Sequence, residues 1–332
     1  MDENVRNNLL RRGKIIQGIR RYFLREGFAE IETPCLVPSP DMEPHLAALE
    51  VRVELPDRIK KKMYLHTSPE YCMKKLLADG WEKIFQICRV FRDGELGPTH
   101  QLEFTMLEWY RSRADYRKIM EDCEGLLYYL SGEIGEKPEL TYRGGRIDLS
   151  PPAERLSVSR AMQVYGGVDI EKNCDGPSLL GEAKSKGYRF EAGGVYSFDE
   201  VFFKIFLEAV EPRLGNPKPT ILYDYPASMA ALARMKPGNP LWAERFELYV
   251  AGLELANAFS ELVDPAEQRQ RFEAEQRVRA ILKKPVYPID EDLLEALGRM
   301  PPSAGIALGV DRLVMLFCDA PRIQEVLAFP IQ

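Results

Sequence analysis

The chain has 332 residues, 45% of them hydrophobic, and a formal net charge of −6 from 45 Lys and Arg against 51 Asp and Glu. At about 150 residues per domain such a length allows two domains, yet no Ser/Gly/Pro-rich linker or charge block divides it, so one domain over 1–332 is expected. The acidic balance argues against nucleic acid as the main partner, and the absence of any run of about 18 apolar residues argues against a membrane span.

Apolar residues Ile15, Ile16, Ile19, Tyr22 and Phe23 recur at the helical period and predict a helix over 5–26 that Gly27 stops. A strand over 28–33 follows, ended by Pro34, and strands are expected over 46–55 and 62–66. Ser68 is an N-cap candidate for a helix over 69–78 with Pro69 in its first position. Residues 85–92 and 103–110 read as two strands around a loop, and 116–130 as an amphipathic helix. Residues 131–215, with mixed pattern and Gly/Pro breaks, are read as an insertion. Beyond them come a strand over 220–225, a hairpin over 244–262, a helix from about Asp290, and a terminal strand and helix. Strands and helices alternate without βαβ regularity or a Gly-rich phosphate loop, which disfavours a doubly wound fold. The six cysteines have no C-x-x-C spacing and only three histidines occur, so the thiols read as reduced, no zinc site is visible, and a cytoplasmic setting is expected.

Period-two alternation sorts the chemistry onto faces. Gln86, Cys88, Val90 and Arg92 share one face of the first strand, and Phe104, Met106, Glu108 and Tyr110 share one face of the second. If Ala251-Gly252 make a two-residue turn, Tyr249 stands opposite Glu254 with Glu247 diagonal to it. Two carboxylates so close call for a cation, and Mg²⁺ suits them. Glu261 lies at an odd offset from Glu254 and would face away unless a bulge, expected near Asn257-Ala258, re-aims the strand.

Four strings in this sequence resemble class II aminoacyl-tRNA synthetases, and more narrowly the lysyl branch. The helix followed by Gly27-Phe28 and Glu30-x-Glu32-Thr33-Pro34 is similar to motif 1. Phe85 to Glu95 with Glu103 to Tyr110 looks like motif 2, Arg245 to Leu262 like the lysyl metal and substrate strands, and Gly305 to Leu313 like motif 3. The resemblance implies an α+β fold, the class II catalytic core with a mainly antiparallel sheet flanked by helices. It also implies ATP and Mg²⁺ as cofactors and a homodimer formed through motif 1.

By that resemblance each position acquires a role. Adenylate formation brings an amino-acid carboxylate against the ATP α-phosphate, and the always-charged, bidentate guanidinium of Arg92 can bridge the two anions. At about 4 Å and an effective dielectric near 20, each such contact supplies roughly 4 kcal/mol of gross attraction. Arg312 would meet the γ-phosphate and cover the adenine opposite Phe104. Ser68, Pro69 and Glu70 would form the substrate loop, with Glu70 on the α-amino group. The same Ser68 and Glu70 are equally good helix-cap residues, and the two roles are compatible. Glu108, Tyr110, Asn257, Phe259 and Glu261 would hold the rest of the amino acid, and Glu247 and Glu254 the metal. Asp93, Gly94, Glu95, His100, Gln101, Leu255 and Gly309 complete the nucleotide site. Where lysyl synthetases read Arg-Asn-Glu, this chain has Arg92-Asp93-Gly94-Glu95, so Glu95, the Asp93 side chain or the backbone is left to read the adenine amino group.

Motif 1 begins within the first thirty residues, which leaves no room ahead of it for the anticodon-binding barrel of lysyl-tRNA synthetases. A core of this kind resembles the elongation factor P lysine ligase family, paralogues of lysyl-tRNA synthetase. Ala307 stands where the synthetases have glycine, and its methyl would enter the amino-acid pocket. One methyl shifts discrimination by about 1–3 kcal/mol. The ligase family has this alanine and favours (R)-β-lysine over α-lysine, which sets the expected substrate, with elongation factor P as acceptor and tRNA disfavoured. Two rivals are a truncated synthetase charging tRNA and a non-catalytic amino-acid-binding paralogue. Retention of Arg92, Glu247, Glu254 and Arg312 argues against the second.

Overall fold

The computed structural model describes residues 2–56, 58–135, 137–191 and 193–331. Asp2 caps helix α1 (Glu3–Arg25) by accepting the Asn4 amide, and Gly27, at φ +79°, turns the chain into β1 (Ala29–Glu30). This strand is shorter than its apolar pattern suggests. Its two residues pair in parallel with Ile84 and Phe85 at the sheet edge, and Pro34 has no N–H to continue a ladder. A side sheet of order β2-β4-β3 follows, from β2 (Leu36–Val37), β3 (Glu50–Glu54) and β4 (Lys60–Leu65).

Helix α2 (Glu70–Ala78) starts one residue later than expected, with Pro69 rather than Ser68 at the cap position. The Ser68 hydroxyl still accepts the Glu70 amide at 3.0 Å. Then come β5 (Lys83–Phe91), β6 (Glu103–Ser112) and α3 (Tyr116–Ile134), the last capped by Asp115 and running a turn past the expected end. The stretch read as an insertion forms a hairpin of β7 (Glu139–Tyr142) and β8 (Gly145–Asp148), then β9 (Glu154–Ser157), α4 (Val158–Ala161), α5 (Gly176–Ser185) and α6 (Phe198–Ile205). It is built into the fold: β9 pairs with β10 (Thr220–Pro226), and the cluster of Val158, Leu179 and Phe202 packs on Leu222 and Tyr249.

Hairpin β11 (Trp242–Val250) and β12 (Leu253–Ser260) turns through Ala251 and Gly252, both at positive φ as a type I′ turn demands. Helix α7 (Pro265–Ile281) has no counterpart in the sequence reading. Only Gln268, Phe272 and Arg279 of it are buried, so it carries almost no apolar stripe. The chain closes with α8 (Glu291–Leu297), β13 (Ser303–Gly309) and α9 (Val310–Cys318).

Eight strands form the main sheet in the order β1-β5-β6-β13-β12-β11-β10-β9. Its inner pairings are antiparallel and its two edge pairings parallel. The fold is therefore α+β, as expected. One face is the core, where Phe85, Leu107, Trp109, Phe246 and Leu248 meet α1, α3 and α9. The other face is open and carries the site.

A buried ion pair fixes the helical layer to the sheet. Arg111 donates to both oxygens of Asp122 on α3, at 2.6 and 2.8 Å, and Trp109 Nε1 donates to the same carboxylate at 3.3 Å. Removing one partner strands a buried charge. Asp122→Ala is expected to destabilise the protein by about 3–5 kcal/mol, measured by urea unfolding, and a loss below 1 kcal/mol would mean that α3 is held by its apolar face alone.

Candidate active site

A cavity of about 630 Å³ opens over the second face of the sheet. Its floor depends on one irregularity. In the β11–β12 ladder Leu248 pairs with Ala256 but Tyr249 pairs with Glu254, so Leu255 is an extra residue on β12. The bulge reverses the alternation, and Glu254, Asn257 and Phe259 come to share a face with Glu247 and Arg245. The re-aiming expected near Asn257-Ala258 thus exists at Leu255, just ahead of that pair. Glu261 follows on the same parity.

Register carries this face onward. Asn257 pairs with Ala307 on β13, and Ala307 pairs with Glu108 on β6; likewise Phe259, Gly305 and Tyr110 line up. Gly305 is a requirement of that row, since a Cβ there would lie 2.1 Å from Tyr110 Cε1.

At the acidic end, Glu108 is fully buried and accepts hydrogen bonds from Ser68 Oγ at 2.5 Å and Tyr110 Oη at 3.0 Å. Burial, then the Glu70 charge, pushes it up to about 8 against the pull of those two donors. Glu70 and Glu261 are joined by a residue that the sequence reading missed: Lys74 Nζ lies 2.5 Å from Glu70 and 2.6 Å from Glu261. Burial raises Glu261 to about 7 while Lys74 opposes it. The i, i+4 spacing of Glu70 and Lys74 was a signal for this contact. At the cavity mouth Asp41 reaches about 7 and Glu275 about 8, both chiefly through burial and then neighbouring acids.

The other end of the cavity is cationic. Arg92 sits over the Phe104 ring at 5.1 Å, with Glu95 at 3.8 Å, and its buried Nε has no hydrogen-bond partner. The guanidinium facing Phe104 is therefore that of Arg92. Arg312, expected to cover the adenine from the side opposite Phe104, lines the same cavity, donates to the Glu254 carbonyl at 2.7 Å and meets His100 Nε2 at 2.5 Å. Burial and then Arg312 pull the His100 pKa down, so its ring stays neutral. Gln101 and Gly309 border the cavity, while the Gln101 amide also clamps the Ile331 backbone. Asp93 and Gly94 do not line it: both are exposed, and the Asp93 amide is tied to the Ala47 carbonyl at 2.8 Å. Pro69 is buried beside the cavity without lining it.

Glu247 and Glu254 flank the middle. Glu247 accepts from Tyr225 and Tyr249 hydroxyls, each at 2.6 Å, and from Arg245 at 2.6 Å. Burial, then Glu247, pushes Glu254 up to about 7, against three arginines. Two carboxylates held together in this way suit a divalent cation that takes its remaining ligands from phosphate and water. Among the described residues no group of three or more His, Cys, Asp or Glu side chains forms an all-protein cage, and Mg²⁺ does not need one.

A sheet of this topology, with an acid-lined end and an end carrying Arg92 and Arg312 on one face, is that of a class II synthetase. The whole chain, residues 1–332, matches the family of class II tRNA synthetases (D, K and N), and it belongs to that family. It is a ligase built on the synthetase core. The chain is similar to the elongation factor P--(R)-beta-lysine ligase of Salmonella arizonae, 41% identical over 330 residues that cover 98% of this chain and 95% of that protein. It is also similar to the protein of the same name from Salmonella paratyphi B, 40% identical over 326 residues with the same coverage.

Glu108 gives a stability prediction with a definite sign. Its folded value, about 8, lies above the ordinary 4.5, so its stabilising contribution is complete below about pH 4.5 and is lost as pH rises through about 8. Glu108→Gln should therefore raise Tm at pH 8.5 and leave it nearly unchanged at pH 4.5, by calorimetry. An equal shift at both values would rule out a buried charge as the cause.

Proposed function

We propose that the protein activates (R)-β-lysine, and α-lysine less well, as an adenylate with ATP, and passes the acyl group to a lysine side chain of elongation factor P. The observation that carries this reading is Arg92. A largely buried guanidinium with an unpartnered Nε, between an acid-lined pocket and an arginine-rich one, suits the joining of a carboxylate to a phosphate. Glu70, Glu108 and Glu261 would take the ammonium groups of a diamino acid, because buried carboxylates need cationic partners. Ser68 and Tyr110 orient Glu108 for this task. Mg²⁺, held by Glu247 and Glu254, would supply charge neutralisation at the phosphates.

In the second half-reaction the neutral acceptor amine attacks the acyl carbonyl of the adenylate. The new C–N bond forms as the C–O bond to AMP breaks. Ala307 stands between Glu108 and Asn257 on the pocket floor, and its methyl supports a preference for the shifted amino group of β-lysine. The names of the relatives support the same amino acid and acceptor, and the acidic net charge of −6 supports a protein acceptor over tRNA. We also read α1 and β1 as the homodimer interface, and the protein as cytoplasmic.

Pyrophosphate exchange with each lysine isomer, followed by transfer to elongation factor P or to tRNA, tests the reading. Exchange is expected with both isomers and faster with (R)-β-lysine, with transfer to the protein. Exchange with neither isomer would sink it, and transfer to tRNA alone would favour a synthetase. Arg92→Ala should lower kcat by about 10²–10³-fold. Ala307→Gly should shift the isomer ratio of kcat/KM toward α-lysine by about tenfold, within the range of one methyl group; an unchanged ratio refutes the role of the methyl.

A further inference from the structure

Lys74 is a charged side chain sealed inside the protein, 2% exposed, on the inner face of α2. Among the described residues it touches two carboxylates, Glu70 one helical turn earlier and Glu261 beyond the end of β12. Nothing in the folding of α2 requires a cation there. A buried ammonium loses its hydration, and apolar residues of similar size would fill the space at least as stably. Its presence therefore points to what it does for the carboxylates.

We propose that Lys74 is a positioning residue that bridges Glu70 and Glu261, keeps Glu261 ionised and sets the charge of the amine pocket to match a diamino acid. This rests on reading the cavity as a diamino-acid site. Three carboxylates, Glu70, Glu108 and Glu261, and one ammonium, Lys74, leave two negative charges when all four are ionised. A diamino acid brings two ammonium groups, and its carboxylate goes to Arg92. Without Lys74 the pocket would hold three carboxylates for two cations, and the group with the weakest partner would take up a proton instead.

The charged and titratable neighbours of Glu261 are few. Lys74 and Glu70 face it from α2 and Tyr110 from β6, with Glu108 and Asp41 of the loop before β3 acting on Glu70. Of these Lys74 is the one cation; Arg271, near the strand bridged to Glu261, spends its guanidinium on the Ala231 and Ala233 carbonyls and on Glu267. Burial pulls the Lys74 pKa down, but the Glu261 and Glu70 charges outweigh burial and keep it protonated. Phe259 and Asn257 approach from the same strand face and carry no charge.

The test is the affinity of the full-length protein for α-lysine and (R)-β-lysine by calorimetry between pH 6 and 9, with the KM for each in pyrophosphate exchange measured in parallel. In Lys74→Met the acid limb of amino-acid affinity is expected to move up by at least one pH unit, which is about tenfold weaker binding at pH 7, with affinity recovering as pH rises. The KM for ATP should stay within about twofold of wild type, since both ion pairs of Lys74 lie at the acidic end of the cavity. Lys74→Arg keeps the charge and should keep the limb. A role in packing alone predicts the opposite: weakening that is independent of pH and is at least as severe in the bulkier Lys74→Arg. Tighter binding by Lys74→Met at pH 7 would make Lys74 a competitor of the substrate and overturn the proposal. Should Lys74→Met lose its thermal transition, Lys74→Gln carries the readout and should move the limb up; an unmoved limb overturns the proposal. Wild-type protein that binds neither isomer overturns this inference together with the diamino-acid reading, whereas binding with an unmoved limb overturns the role of Lys74 alone.

Discussion

One extra residue in a strand decides what the cavity contains. In a regular β12, Glu254 and Glu261 would point to opposite faces, since an odd number of steps separates them. Leu255 breaks the count, and with it Glu254, Asn257 and Phe259 join Glu247 and Arg245 above the sheet. Every later feature of the site uses that parity: the row of Asn257, Ala307 and Glu108, the contact of Glu261 with Lys74, and the closeness of the two middle carboxylates. The turn before it helps to hold the register. Ala251 and Gly252 donate backbone bonds to Gly215 and Leu214, which anchors the tip of the hairpin.

The cavity is an exercise in burying charge. Its acidic end would be unstable as a set of bare carboxylates, and each is managed differently. Glu108 has two hydroxyl donors, Glu261 has Lys74, and Glu247 has two tyrosines and Arg245. Residual upward shifts on Glu108, Glu254 and Glu261 mark what these partners leave uncompensated. That remainder is the driving force available to a cationic ligand or a metal, which is why perturbed groups gather where binding occurs. The opposite face of the sheet supplies the rigidity. Its apolar core and the Arg111–Asp122 pair hold the strands in fixed register beneath the site.

Much of the fold was legible from local pattern. Helix α1 announces itself through Ile15, Ile19 and Phe23, and the β11–β12 turn through Ala251-Gly252. Faces followed from alternation wherever strands are regular, as in β6. Misses have physical causes. Helix α7 lacks an apolar stripe and is held by capping at Asp264 and by a few buried side chains. β1 is cut short because pairing, not composition, ends a strand. Asp93 and Gly94 follow Arg92 in sequence but lie outside the cavity lining, because the loop backbone is bonded to Ala47 there.

The sequence alone determined which chemical groups exist and their order: the two motif arginines, the glutamates of the hairpin, the alanine on the pocket floor and the synthetase-like arrangement of elements. Those are local facts, set by residue type and spacing. Tertiary structure decided which of the groups meet. The position of the bulge, the Lys74 bridge from α2 to Glu261, and the meeting of Arg312 with His100 depend on contacts between segments far apart in the chain. Such contacts are fixed by packing and by the pairing of buried charge, which no window of sequence contains.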